Sequence, residues 1–255
     1  MTTGFGNLLH EGFTATLRDR RGLLMFALPA ALLLALAWTI LDRIEVNATA
    51  VSVTVELGLA YIAFFWQRRY LVGPEASPLQ GEERREQQRE INKLAGRFVG
   101  RAAVYYIVLT ILALIISFPV FMPFLEENDP QTVFVFVAIV LCVVALLMIV
   151  SARFLLAFPA CAAGIRMGWG EAWRLGRGHG LRLGLVVVLF GLPLALYAVG
   201  FVLLLPKAFQ ASLPGLILLN TGIAVLRIGA MFMGLTSAAY LYRELTTKVE
   251  AEVFD

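Results

Sequence analysis

Charge is what this chain has least of. Only 15% of its 255 residues are charged, against about a quarter in a soluble domain, while 60% are hydrophobic and the mean hydropathy is +0.81. Too little polar surface is available to cover a body in water, which excludes a cytosolic enzyme, a nucleic-acid-binding domain and a disordered segment. Cysteine is scarce too. Cys142 and Cys161 cannot build a disulfide framework or a structural zinc site, and both lie in or beside apolar sequence, where they read as packing residues. The two histidines, His10 and His179, are far apart and no H-E-x-x-H is present, which excludes an intramembrane zinc peptidase. All four aspartates, Asp19, Asp42, Asp129 and Asp255, fall outside the apolar runs, which excludes an aspartyl intramembrane protease. A Walker P-loop and a G-x-S-x-G are missing as well, so no cofactor, metal or catalytic constellation is expected.

What is present in quantity is long apolar sequence. A helix needs about 20 mostly apolar residues to cross the hydrocarbon layer. Six runs meet that length: residues 22–41, 49–66, 102–125, 132–150, 183–205 and 215–241. They are apolar on every face, unlike the alternating ten-residue strands of a membrane barrel. The expected fold is therefore all-α, a single polytopic membrane domain over residues 1–255 with six transmembrane helices.

Short basic loops resist transfer across a membrane, so their distribution orients the chain. Eighteen of the 21 Lys and Arg residues lie before the first run, in the second and fourth connections, or in the tail. Only Arg43 and Lys207 lie in the other connections, which also carry Asp42, Glu45, Glu126, Glu127 and Asp129. Both termini are expected on the cytoplasmic side. A cleavable signal peptide is the competing reading of residues 23–37, but the run is long enough to span and the region before it is long. Asn47-Ala48-Thr49 matches a glycosylation acceptor by chance, beside a span. Eighteen Arg against three Lys suggests GC-rich bacterial coding, hence an inner membrane.

Each odd-numbered span follows a basic stretch with apolar residues at helical spacing, the pattern of a cytoplasmic amphipathic helix lying in the interface. The first contains Leu8, Leu9, Phe13 and Leu17. The second places Ile91, Leu94, Ala95 and Phe98 on one face, with Arg89, Lys93, Arg97 and Arg101 elsewhere. The third holds Arg166, Trp169, Trp173, Arg174, Arg177 and Arg182, which are candidate contacts for a lipid headgroup. There Gly176, Gly178 and Gly180 would let backbone amides turn toward a phosphate, or would simply break the helix before the next span. Topology-setting alone is the plainer account of all three stretches. The charged run 82–90 reads as a solvated helix face, with Glu82–Arg85 and Glu86–Arg89 three residues apart.

One cation is out of place. Arg227 lies near the middle of the sixth run, where insertion costs about 2.5 to 3.5 kcal/mol, and the only acidic residue within any run is Glu56 in the second. At ~1.5 Å per residue they stand ~20 Å and ~15 Å above the inner edge, close enough for their side chains to meet. A Glu56–Arg227 intramembrane pair is therefore expected, with Asn220 and Thr221 about two turns outward as further partners. It serves either as a structural clamp between spans or as the polar centre of a cavity for an anionic or zwitterionic ligand. Pro29, Pro119, Pro123, Pro159 and Pro193 are expected to kink their helices.

The segments Arg153-Phe154-Leu155-Leu156-Ala157-Phe158-Pro159-Ala160, Glu171-Ala172-Trp173-Arg174-Leu175-Gly176-Arg177-Gly178 and Ala239-Tyr240-Leu241-Tyr242-Arg243-Glu244-Leu245 carry a family resemblance. Over about its C-terminal half the chain resembles the multi-helix bacterial membrane domain found in uncharacterised inner-membrane proteins and fused to glycerophosphodiester phosphodiesterases. The first half agrees only in hydropathy. The phosphodiesterase catalytic domain is missing, so none of its residues carries over. The resemblance implies a six-helix inner-membrane module linked to glycerophospholipid metabolism or envelope maintenance. Together these readings lead to a non-enzymatic module that engages membrane lipids or a membrane-protein partner, with no nucleic acid involved. The alternative is a small transporter or channel with its polar site around Arg227 and Glu56.

Overall fold

The computed structural model describes residues 4–41, 48–73, 82–121, 130–210 and 212–254. Every regular element in them is helical. A first helix, α1 (Phe5–Arg18), precedes a rod made of α2 (Arg20–Gly22), a π-helical turn (Leu23–Ala27) and α3 (Leu28–Leu41). Then come α4 (Ala48–Val72), α5 (Glu82–Phe121) and α6 (Pro130–Ser151), which continues through a 3-10 segment (Ala152–Leu156) into α7 (Ala157–Ala162). The short α8 (Trp169–Leu175), α9 (Gly180–Leu204), α10 (Lys207–Gln210) and α11 (Leu213–Phe254) complete the chain.

The protein is all-α and polytopic. Within the described residues each of the six apolar runs coincides with a long helix or rod, and five helical segments are long and apolar enough to cross a membrane. The remaining one, α4, is 25 residues long and carries Glu56, Arg68 and Arg69. The expected outer-side residues Asp42, Arg43, Glu45, Asn47, Glu126, Glu127 and Asp129, and also Pro123 and the Pro74–Gly81 loop, lie outside the described residues.

Prolines mark where the helices change geometry. Pro29 has no amide to donate and its ring crowds the carbonyl four residues back; the turn before it widens, with Leu28 N donating to Leu23 O. Ahead of Pro159 the chain tightens instead into the 3-10 segment. Pro193 lies within α9, and Pro119 near the end of α5.

Five helices pack in a closed ring, α4 on α5, α5 on α6, α6 on α9, α9 on α11 and α11 on α4, while α3 lies against α11 and α4. The end that carries Arg20, Arg68, Arg69, Arg101, Arg153 and Arg243 is the basic end; two buried clusters sit toward it, and a third runs along the α3–α11 contact. The 3-10 segment and α7 plug the basic end: Ala152, Leu156, Ala157, Ala160 and Ala162 are fully buried. Small residues let neighbouring backbones approach closely, which is how helices gain packing energy where lipid competes for apolar contact. Two arginines hold the plug. Arg101 donates to Ala157 O and Met167 O (3.0 and 2.7 Å), and Arg68 donates to Ala162 O (3.1 Å), where cations suit the carbonyl end of α7.

All three amphipathic stretches pack against protein in a way their sequence pattern alone did not reveal. In α1, Leu8, Gly12 and Thr16 are buried against α11 and α9, and a Cβ on Gly12 would lie 2.1 Å from Ser237 Oγ, so only glycine permits this crossing. Phe13 and Leu17 stay exposed on another face. The second stretch runs unbroken into its span as one 40-residue helix, and Ile91, Ala95 and Phe98 are buried against α4 and α7.

A polar seam ties α1, α4 and α11 together. The Thr236 hydroxyl receives Trp66 Nε1 (3.0 Å) and Thr16 Oγ1 (3.1 Å), and donates to Phe232 O. Asp19 accepts from the Gly22 amide and pairs with Arg69 at 2.6 and 3.0 Å. The Arg69 hydrogen bond holds the Asp19 carboxyl below its ordinary range, against the opposing effect of burial, and Asp19 in turn raises Arg69. Burial, reinforced by Glu11 at 3.0 Å, keeps the Tyr70 phenol protonated.

Candidate functional site: an ion pair between two intramembrane cavities

Along α4, residues 53, 56, 57, 60, 63 and 64 recur at helical spacing and face α5. The two helices meet where the side chains are small or flat: Ala60, Ala63 and Phe64 pack on Phe98 and Ala102. Further from the basic end Val53, Glu56 and Leu57 stand opposite Tyr106, Ile107, Thr110 and Ile111. They enclose a cleft of about 490 Å³ that reaches Arg227.

Arg227 projects from α11 and its Nη2 donates to Glu56 Oε1, joining α11 to α4. Its guanidinium carbon lies 5.5 Å from the ring centre of Trp38, a cation–π contact that adds α3. Each side chain of the pair keeps 30% of its surface accessible. That surface faces the α4–α5 cleft and a second, central cavity of about 300 Å³ inside the helix ring. Tyr105, Tyr106, Met148, Leu155, Gly191 and Met231 help to line the central cavity, and Tyr105 and Ser151 share a 2.8 Å hydrogen bond beside it. Outward of the pair, Asn220 Nδ2 donates to Thr39 Oγ1 at 3.3 Å, tying α11 to α3. Thr221 is half-buried on the same helix.

A buried ion pair completes itself when both charges are enclosed and fully hydrogen-bonded. This one is not enclosed. Its exposed third lies in an apolar environment, where a charged surface needs a polar neighbour. Such an arrangement suits the recognition of a polar head on an otherwise apolar guest, and ligand sites between the helices of bundles have this form and size.

The basic face around α8 is arranged differently. Arg166, Arg174 and Arg177 are exposed, and Arg182 is half-buried. Trp169 and Trp173 turn inward: Trp169 lies 5.9 and 6.1 Å from Phe154 and Phe158, and Trp173 lies 5.0 Å from Phe154 and beneath Arg153 at 4.5 Å. Gly176 and Gly180 serve packing here. A Cβ on Gly180 would come within 2.5 Å of the Arg153 side chain, and one on Gly176 within 3.1 Å, so both make room for Arg153. The neighbouring amides of Arg177, His179 and Gly180 are spent on the carbonyls of Arg174 and Gly176. Glu171 accepts from the Gly168 amide at 2.7 Å and so fixes the start of α8.

Cys161 is buried with its thiol 3.7 Å from Leu94 O, and Cys142 is exposed. Among the described residues no three His, Cys, Asp or Glu side chains come together. Trp38, Tyr106, Tyr105 and Ser151 are site residues that sequence patterning does not single out. The adjacent tyrosines within an apolar run are the only hint it offers. Compared with protein-family models, curated proteins and solved structures, the chain matches none of them significantly.

Proposed function

We propose that this chain is a non-enzymatic module of a bacterial inner membrane, both termini cytoplasmic, that engages phospholipid at the Glu56–Arg227 pair. The exposure of that pair to two apolar cavities carries the reading, because a sealed clamp would leave no charged surface for a guest. The exposed Arg166, Arg174 and Arg177 form a secondary contact, facing anionic headgroups at the interface, with Arg182 at its edge. A link to glycerophospholipid metabolism or envelope maintenance accords with the family resemblance, and a membrane-protein partner would dock on the same basic face. Native mass spectrometry of the full chain from gentle detergent tests this. Phospholipid is retained by the natural sequence and lost in Arg227→Met, with a partial loss in Arg174→Gln/Arg177→Gln. Retention of no phospholipid by the natural protein overturns the proposal.

A small transporter or channel is the second reading, favoured by the central cavity inside a closed helix ring. It requires a polar route through the whole thickness of the bilayer. At the basic end the route meets Leu155 and Phe158, packed in the plug. Solute or ion flux in liposomes, abolished in Arg227→Met, would select it.

A further inference from the structure

The phospholipid reading leaves the headgroup class open, and the charge of the site narrows it. Among the described residues, Glu56 and Arg227 are the only charged side chains lining the α4–α5 cleft and the central cavity, so that lining is neutral overall. In a low-dielectric setting a guest with net charge would leave that charge uncompensated. An anionic headgroup could take Arg227 only by stranding Glu56. A zwitterionic headgroup strands neither: its phosphate replaces Glu56 at the guanidinium, its ammonium replaces Arg227 at the carboxylate, and the sum stays zero.

The cleft also shows how such a guest would arrive. Ala60 and Ala102 close it at the basic end, where both are buried. Beyond that pinch Val53, Leu57, Ile107 and Ile111 are 54%, 37%, 58% and 51% exposed, an apolar wall open to the surrounding acyl chains. We infer that the α4–α5 cleft is a lateral entrance through which a zwitterionic phospholipid seats its headgroup between Glu56 and Arg227 while its tail lies along the apolar wall.

This inference rests on the phospholipid reading, and one experiment separates them. The full chain is equilibrated with vesicles of equal parts phosphatidylethanolamine and phosphatidylglycerol, extracted gently, and its retained lipid identified by native mass spectrometry. The natural protein retains the zwitterionic lipid over the anionic one by about tenfold, the scale of one charge-assisted hydrogen bond. Glu56→Gln leaves a net positive site and reverses the preference. Ile107→Trp fills the cleft and abolishes retention without lowering Tm. Retained lipid with no class preference, or a preference for the anionic one, overturns the zwitterion assignment and spares the phospholipid reading. Undiminished retention in Ile107→Trp overturns the lateral entrance, and retention of no lipid at all overturns the phospholipid reading itself. Should Glu56→Gln fail to fold, the preference of the natural protein and the Ile107→Trp result decide.

Discussion

Along α4, Phe64 is fully buried whereas Val53, three turns away, is 54% exposed; along α11, Phe232 is fully buried whereas Val225, two turns away, is 52% exposed. On these faces the same helices thus make a closed half at the basic end and an open half beyond it, while Leu34, Ala224 and Ile228 stay buried where α3 meets α11. Hydrophobicity does not distinguish the halves, since both are apolar and lipid satisfies apolar side chains as well as protein does. Buried small residues occur in both, Ala30, Ala31, Ala35 and Ala224 among them beyond the base; the closed end adds bonds from charged side chains to backbone carbonyls. Gly12, Ala152, Ala157, Ala160 and Ala238 lie at the closed end, with Thr236, Ser237, Arg68 and Arg101 bonded across elements. In the open half the polar ties between helices include Glu56–Arg227, Asn220–Thr39 and the Tyr197 hydroxyl donating to Leu218 O at 2.7 Å. The closed end holds the helices in place while α4 and α5 stand apart around a cleft beyond it.

The largest test truncates an aromatic in each half. Phe64 is fully buried and packs edge-on against Phe65 and Phe98, so Phe64→Ala should cost about 3 kcal/mol or more from the cavity it leaves. Phe118 is 62% exposed, and Phe118→Ala should stay within about 0.5 kcal/mol. Thermal unfolding in detergent reads both. Equal losses would mean that the far half is packed as tightly as the base.

A somewhat smaller loss is expected for Arg101→Met, which deprives Ala157 O and Met167 O of their charged donor. Bonds of that kind contribute about 1.5 to 3 kcal/mol, while the exposed Arg174 should tolerate Gln with no measurable change in Tm. The contrast is informative because loop charges of this kind look alike in sequence. A topology-setting role requires only that Arg101 be positive, so Arg101→Lys would then preserve stability fully; clamping requires the fork, and Lys should restore only part of it.

That ambiguity shows what was legible beforehand and what was not. The helices could be read because twenty apolar residues have one economical arrangement in lipid. Glu56 and Arg227 could be paired because each is the sole charge of its sign within a run, at matching depth. Trp38 and Tyr106 could not be placed beside them: Trp38 lies on α3 and Tyr106 in the apolar run of α5, where the sequence is apolar all round and no periodicity marks which face meets a neighbour. The plug was hidden for another reason. A hydropathy reading stops near Val150 because Arg153 follows, yet the chain continues as buried helix through residues whose value lies in their small size rather than their hydrophobicity. The room beside Gly176 and Gly180 was hidden likewise, since glycine spacing cannot say whether a ligand or the protein's own Arg153 occupies it.

The closed half should also loosen in acid. The folded Asp19 carboxyl titrates below its ordinary value of 3.8, so its pairing contributes fully above that value and is lost as pH falls through the lower, folded one. Both side chains remain 26 to 30% exposed and are screened, which makes this a smaller effect than loss of Arg101. The fall in Tm between pH 5 and pH 3, roughly one unit either side of the ordinary carboxylate range, should shrink in Asp19→Asn. An unchanged fall would assign the acid sensitivity to other carboxylates and remove Asp19 from the account of the base.

The smallest effect is expected in the open half, at Thr39→Val. Valine keeps the shape of threonine and removes the hydroxyl that accepts from Asn220 and donates to Ala35 O. Interhelical hydrogen bonds within membranes average about 0.6 kcal/mol, because the separated helices find other partners, and the 3.3 Å length here is no better than ordinary. A half-open bundle should therefore give up this bond with little change in Tm and none in lipid retention. A loss approaching that of Arg101→Met would mean that α3 and α11 are held together at their far ends as firmly as at the base. The pair of Glu56 and Arg227 would then sit in a rigid wall rather than beside helices free to part, and a guest would need a route other than the gap between α4 and α5.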